Sequence, residues 1–265
     1  TETIPPFLGM GSRFLVAFLI MLVLTGLLRG WSALRVTRRE FASASFMGVA
    51  LLGVGIGTVG LAQDYVPTGV MALIIASTPL TIVMWRVITR DRPSLLTLVG
   101  VFVGLAGIGW MLLPGGTRPV SGTDADVVFW SLMILISATI WATTSFFSAR
   151  LPKPRDSFTL TTYELLSGGV SLTVVGLLVG EQIEWDQISA RSWGGWIFLV
   201  TAGSVLAFSS FTWLINNAPI SLASTYAYVN PLVAVLLGLV IFREAITSDV
   251  IIGLTVVLGG VILVV

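Results

Sequence analysis

The chain has no cysteine, no histidine and a single lysine, Lys153, among its 265 residues. Without cysteine there is no disulfide framework, thiolate nucleophile or cysteine-ligated metal. Without histidine the usual general base, the usual metal ligand and the axial haem ligand are missing. Charge is also scarce, at 10% of residues, against about 25% in soluble domains. Most membrane enzymes and redox carriers are thereby disfavoured. The expectation is a protein that is not an enzyme, with no cofactor, metal or nucleic-acid partner.

What is present is apolar. Hydrophobic residues make up 55% of the chain, and the mean hydropathy is +0.99. A bilayer core needs roughly 20 apolar residues per helix. Nine segments meet that need, at about 6–28, 41–62, 67–88, 93–113, 127–149, 157–180, 193–215, 219–242 and 248–265. The expected fold is an all-α integral membrane protein. The opening "TETIPP" reads as a loop, since no basic stretch precedes an apolar core as in a signal peptide.

Basic residues set the expected orientation. Arg29, Arg35, Arg38 and Arg39 follow the first segment, Arg86, Arg90 and Arg92 the third, and Arg150, Lys153 and Arg155 the fifth. These loops fall on one side. The other side carries Asp64, Asp124, Asp126, Glu181, Glu184, Asp186 and Asp249. The basic side is expected to be cytoplasmic, with the C-terminus inside.

The sequence also repeats. "PTGVMALIIASTPLTIVMW" begins at Pro67 and "PISLASTYAYVNPLVAVLL" at Pro219, and both pairs, Pro67/Pro219 and Pro79/Pro231, are 152 residues apart. The same offset aligns Arg39 with Arg191, Asp64 with Asn216 and Gly107 with Gly259; an offset of 151 aligns Phe7 with Phe158 and Arg13 with Glu164. Segments one to four therefore match segments six to nine. The fifth has no partner, so a helix before Thr1 is expected in the complete fold. Five helices per repeat would invert the second copy, an architecture of many secondary transporters. The domains are 1–118, a first repeat lacking its first helix, and 119–265, the second repeat.

Three features carry a family resemblance: "PPFLGMGSRFLVAFLIML", the pair "ASTPL" and "YVNPL", and the closing "GLTVVLGGVILV". With these the chain resembles the EamA-type members of the drug/metabolite transporter superfamily across its whole length. The resemblance implies ten helices in two inverted five-helix repeats, and export of amino acids and related metabolites, or sometimes of organic cations. The expected mechanism is alternating access with the prolines as hinges. It also implies that the segments bearing Arg13 and Glu164 are peripheral, and that those bearing Gly100, Gly104, Gly107, Gly253, Gly259 and Gly260 act as scaffold.

Polar groups at depth are the candidate substrate pathway. Pro79 and Pro231 each deprive a carbonyl, of Ile75 and Ala227, of its helical donor. That carbonyl is either taken up by a neighbouring hydroxyl, with Ser77 and Thr78 at hand, or left for a ligand. Tyr226 and Asn230 are four residues apart and share a face. Ser137, Trp141 and Thr144 form one stripe, and Ser209, Trp213 and Asn216 another. Trp213 also suits an interfacial belt. Arg13 and Glu164 are the intramembrane charges, functional candidates by default. Each lies about two turns from its helix start, so they are expected to snorkel or to pair with loop groups rather than with each other. With the only lysine in a loop, phosphorylated cargo is disfavoured. A neutral, zwitterionic or weakly cationic small molecule remains. A non-transporting membrane protein is the competing class. The partners are that solute and the bilayer, with the chain a monomer or a homodimer through the Gly100/Gly104 face.

Overall fold

The computed structural model describes residues 3–90, 93–112, 122–223 and 225–226, with 233, 252, 253, 255, 256, 259, 260 and 263 beyond them. Asn230 and Pro231 lie outside the described residues, as does most of the last two expected segments. Every regular element among the described residues is helical. Five helices are long and apolar enough to cross a membrane: Pro6–Arg29, Arg38–Ala62, Asp124–Arg150, Ser157–Leu178 and Ala190–Asn217. Thr78–Ile88 and Leu95–Gly107 are shorter apolar helices. Large apolar side chains face outward along these helices, among them Leu27, Leu95 and Leu178, at 72%, 75% and 80% exposed. In water such a surface would be unfavourable, and in lipid it is the expected exterior.

The chain divides into two compact units. The first joins Thr1–Leu61 to Phe147–Asn217. It contains α1 (Pro6–Arg29), α2 (Arg38–Gly48) continued by a π segment (Val49–Ile56) and α3 (Gly57–Ala62), then α8 (Ser157–Leu178), and α9 (Ala190–Phe198) continued by a second π segment (Leu199–Phe208) and α10 (Ser209–Asn217). Within this unit α8 is central: α1, α2, the first π segment and α10 all pack on it. Within this unit α1 and α8 pack along each other. Small residues make the close approach possible. A methyl group added to Gly11 would lie 2.8 Å from the Thr173 backbone nitrogen, and one on Gly169 would lie 3.0 Å from Leu15. One on Gly48 would collide with the Glu164 carbonyl. These glycines let the backbones of α1 and α2 close on α8.

The second unit joins Ala62–Phe146 to Ala218–Val265. It contains α4 (Thr68–Ile75), α5 (Thr78–Ile88), α6 (Leu95–Leu112), α7 (Asp124–Phe147) and α11 (Ile220–Ala223). The expected third segment is broken between α4 and α5, at Ala76 and Ser77, with Pro79 in the first turn of α5. Proline is tolerated there because the early N–H groups of a helix have no intrahelical acceptor. In the same unit Gly260 sits against Gly100 and Gly104, its added methyl only 2.6 Å from the Gly104 nitrogen. The small-residue face of α6 is thus occupied by a segment of the same chain.

Element starts recur at the offsets seen in sequence. The N-caps of α1 and α8, Pro5 and Asp156, are 151 apart. Those of α2 and α9, Thr37 and Ser189, are 152 apart, as are the prolines that precede α4 and α11. The two π segments end at Ile56 and Phe208, again 152 apart. Wide π turns are rare and cluster at functional sites.

Candidate functional site

In the first unit the site is a polar seam between α8 and α10. Asp156 caps α8 by accepting from the Thr159 N–H at 2.9 Å, and it pairs with Arg29 at 3.4 Å. From that cap Ser157, Thr161 and Glu164 follow at spacings of four and three, so they share one face. On α10, Thr212 and Asn216 are four apart. The Thr212 hydroxyl donates to Glu164 Oε2 at 3.0 Å. One level toward the α8 start, the Asn216 amide donates to the Ser157 hydroxyl at 3.1 Å. The Asn216 carbonyl oxygen accepts from the Lys153 ammonium. Burial holds Lys153 below the ordinary lysine range, while the charge of Glu164 acts the other way.

Glu164 and Thr161 are fully buried. Among the described residues, Glu164 Oε1 and Thr161 Oγ1 have no hydrogen-bond partner. Buried polar atoms are nearly always bonded, so two orphans on one face need an explanation. Arg13 is also buried, at 8% exposed. Its guanidinium lies 4.4 Å from the Phe14 ring centre, and its Nε is unpartnered. Neither Arg13 nor Glu164 snorkels, because close glycine-mediated packing encloses both. They also stand at different levels. Gly11 meets Thr173 while Thr25 bonds Thr162 at 3.2 Å, so α1 and α8 run antiparallel. Arg13 is therefore level with the far half of α8.

In the second unit α7 presents Ser137 and Thr144, both buried, and Trp141, half-buried. Trp141 and Tyr226 lie beside each other. The structure thus brings together two expected pathway residues that lie far apart in sequence. Ser137 donates to its own helix, to the Ile134 carbonyl at 2.9 Å. Trp85 on α5 donates to Thr143 on α7 at 2.9 Å. At the α4–α5 break Ser77 donates to the Ile74 carbonyl at 2.6 Å, and Thr78 to the Ile75 carbonyl at 2.5 Å. The carbonyl freed by Pro79 is therefore satisfied locally.

Ser209 and Trp213 belong to the first unit. Ser209 is near Met21, with its hydroxyl 3.5 Å from the sulfur. Trp213 is 54% exposed, and the buried face of α10 passes instead through Thr212 and Ile215. Sequence reasoning missed Thr161, Thr212 and the reach of Lys153. The Ser157/Thr161/Glu164 stripe was visible as a spacing. The partner helix and its rotation were not.

The sequence profile of the EamA-like transporter family matches residues 1–113 and 128–265. The chain belongs to that family. Its relatives include the "Uncharacterized inner membrane transporter YedA" of Escherichia coli, 34% identical over 241 residues, covering 89% of this chain and 74% of the relative. "Protein PecM" of Dickeya dadantii is 26% identical over 223 residues, covering 82% and 71%. A crystal structure at 21% identity matches the fold with a TM-score of 0.77, over 98% of this chain and 88% of that one. Family membership and the apolar helices together make this EamA-family chain a multi-pass membrane protein.

Proposed function

We propose that the protein is a secondary transporter of a bacterial inner membrane. In this reading it exports small neutral, zwitterionic or weakly cationic metabolites, amino acids above all, by alternating access. The observation that carries the reading is the polar face of α7 in a transporter-family chain: Trp141 beside Tyr226, with Ser137 and Thr144 on the same stripe. These groups are neutral donors and acceptors, the chemistry that holds a zwitterion without trapping it. Asn230, four residues from Tyr226, completes the proposed recognition pair. Pro79 and Pro231 serve as hinges, with Ser77 and Thr78 beside the first of them.

The recurring element starts and paired π segments support two repeats of opposite orientation. The match of the family profile in two stretches supports them too. Basic loops face the cytoplasm in this reading. The aromatic rings of Trp141 and Tyr226 also favour a second reading, export of organic cations by cation–π attraction.

Counterflow of radiolabelled amino acids into proteoliposomes tests the recognition pair. Tyr226→Phe or Asn230→Ala should each weaken the apparent affinity about tenfold, the effect of one lost hydrogen bond of roughly 1.4 kcal/mol. Unaltered kinetics in both variants would remove the pair from the pathway. Competition by a quaternary ammonium, without amino-acid flux, would favour the second reading.

A further inference from the structure

We propose that Glu164 is a proton-binding site of the transport cycle, loaded and emptied through the α8–α10 seam. The inference rests on the transporter reading above and deepens it by naming the coupling ion. Its first support is incompleteness. Glu164 lies seven residues into α8, about 10 Å along the helix, with no exposed surface. A carboxyl group kept only for packing would have both oxygens bonded, because an unpaired buried charge is costly. Here Oε2 accepts from Thr212 while Oε1 and the adjacent Thr161 hydroxyl have no partner among the described residues. An acid proton on Oε1 removes a charge that would otherwise stay buried with only one of its oxygens bonded.

The second support is the surrounding charge. Elements packed on α8 bring few ionisable groups. On α1 these are Arg13, level with the far half of α8, and Arg29, already paired with Asp156. On α2 they are Arg38, Arg39 and Glu40, in its first turn, with Glu40 bonded to Thr37. The first π segment and α10 bring none, and α8 itself adds Tyr163, whose hydroxyl donates to the Leu34 carbonyl at 2.6 Å. Lys153, just before the start of α8, is held by Asn216 and makes no ion pair with Glu164. With no cation bonded to it, the buried charge of the carboxylate is left for a proton to neutralise.

The third support is the ligand chemistry. One carboxylate and two hydroxyls are too few oxygens for a desolvated hard cation, which takes six or more. Among the described residues no group of three or more acidic side chains gathers around a common point. A proton needs only one oxygen. It would bind Oε1 from water entering beside Lys153, convert the carboxylate to the neutral acid, and leave to water once the seam opens to the other side. The hydrogen bond from Thr212 ties each change of charge to α10, which directly follows a π segment.

The test uses the full chain reconstituted in lipid, with two readouts. In the first, infrared difference spectroscopy follows the carbonyl stretch of protonated carboxyl groups as pH is varied. The wild type should show a titrating band that is absent in Glu164→Gln. An identical spectrum in the variant would overturn the proposal. In the second, a mixture of radiolabelled neutral amino acids is exchanged across the vesicle membrane with and without an imposed pH gradient. Wild-type flux should follow the gradient, and Glu164→Gln should lose that response together with the pH dependence of exchange. A Glu164→Gln protein that still follows the gradient overturns the coupling role while leaving the transporter reading intact. Absence of flux in the wild type would refute the amino-acid reading, and the infrared result would still decide the proton site. If Glu164→Gln fails to fold, Thr212→Val takes its place. It keeps the carboxyl, removes a donor to the carboxylate and should move the midpoint of the band to higher pH. An unmoved midpoint counts against the proposal.

Discussion

At the residue scale the first unit depends on side chains that are absent as much as on those present. Gly48 touches the backbone of α8 at Glu164, where no Cβ fits. Gly48→Ala forces the two helices apart, and overpacking of this kind costs about 1–3 kcal/mol. The expected outcome is a lower Tm in detergent, and an unchanged Tm would show that α2 does not press on α8 there. Asn216 is the opposite case, a polar side chain with a bond on each side, to Lys153 and to Ser157. Asn216→Leu removes both. Hydrogen bonds to charged groups contribute about 1.5–3 kcal/mol. The loss should fall at the low end, because Lys153 is only half-buried and water replaces part of what it loses. Chemical denaturation of the variant measures this directly.

At the scale of elements, irregular helices matter most. The chain places a π segment in the middle of two long helices and a break in a third. The break holds Pro79 at a position that costs a helix little, with Thr78 covering the freed carbonyl. Pro79→Ala should therefore change stability by less than about 1 kcal/mol. As a hinge replaced by a continuous helix, however, it should slow exchange about tenfold, or roughly 1.4 kcal/mol of barrier. Equal exchange rates at equal stability would deny the break a mechanical role. The positions of the five long described helices were legible in the sequence because each is a long apolar run bounded by charge or proline. The bend at Pro79 was legible for the same reason. The π segments were not, since Val49–Ile56 and Leu199–Phe208 look like ordinary apolar helix and owe their width to packing. Nor was the centrality of α8 legible. Its polar stripe could be read as lipid-shy or as pathway until the glycines of α1 and α2 were seen to close on it.

For the whole molecule, the claims concern orientation and transport. A chain without cysteine suits single-cysteine mapping. Arg155 and Asp186 are both exposed, in the segments before and after α8. Asp186→Cys should react with a membrane-impermeant maleimide in intact cells, and Arg155→Cys only after permeabilisation. The reverse pattern would invert the topology read from the basic loops.

The central claim is that this EamA-family chain carries amino acids or close relatives. Counterflow into proteoliposomes preloaded with unlabelled amino acids, assayed one labelled amino acid at a time, tests it most directly. The account predicts saturable accumulation of at least one neutral amino acid, absent from protein-free vesicles, and none of a sugar phosphate. Flux of the phosphorylated solute, or no flux of any amino acid by well-folded protein, would contradict it.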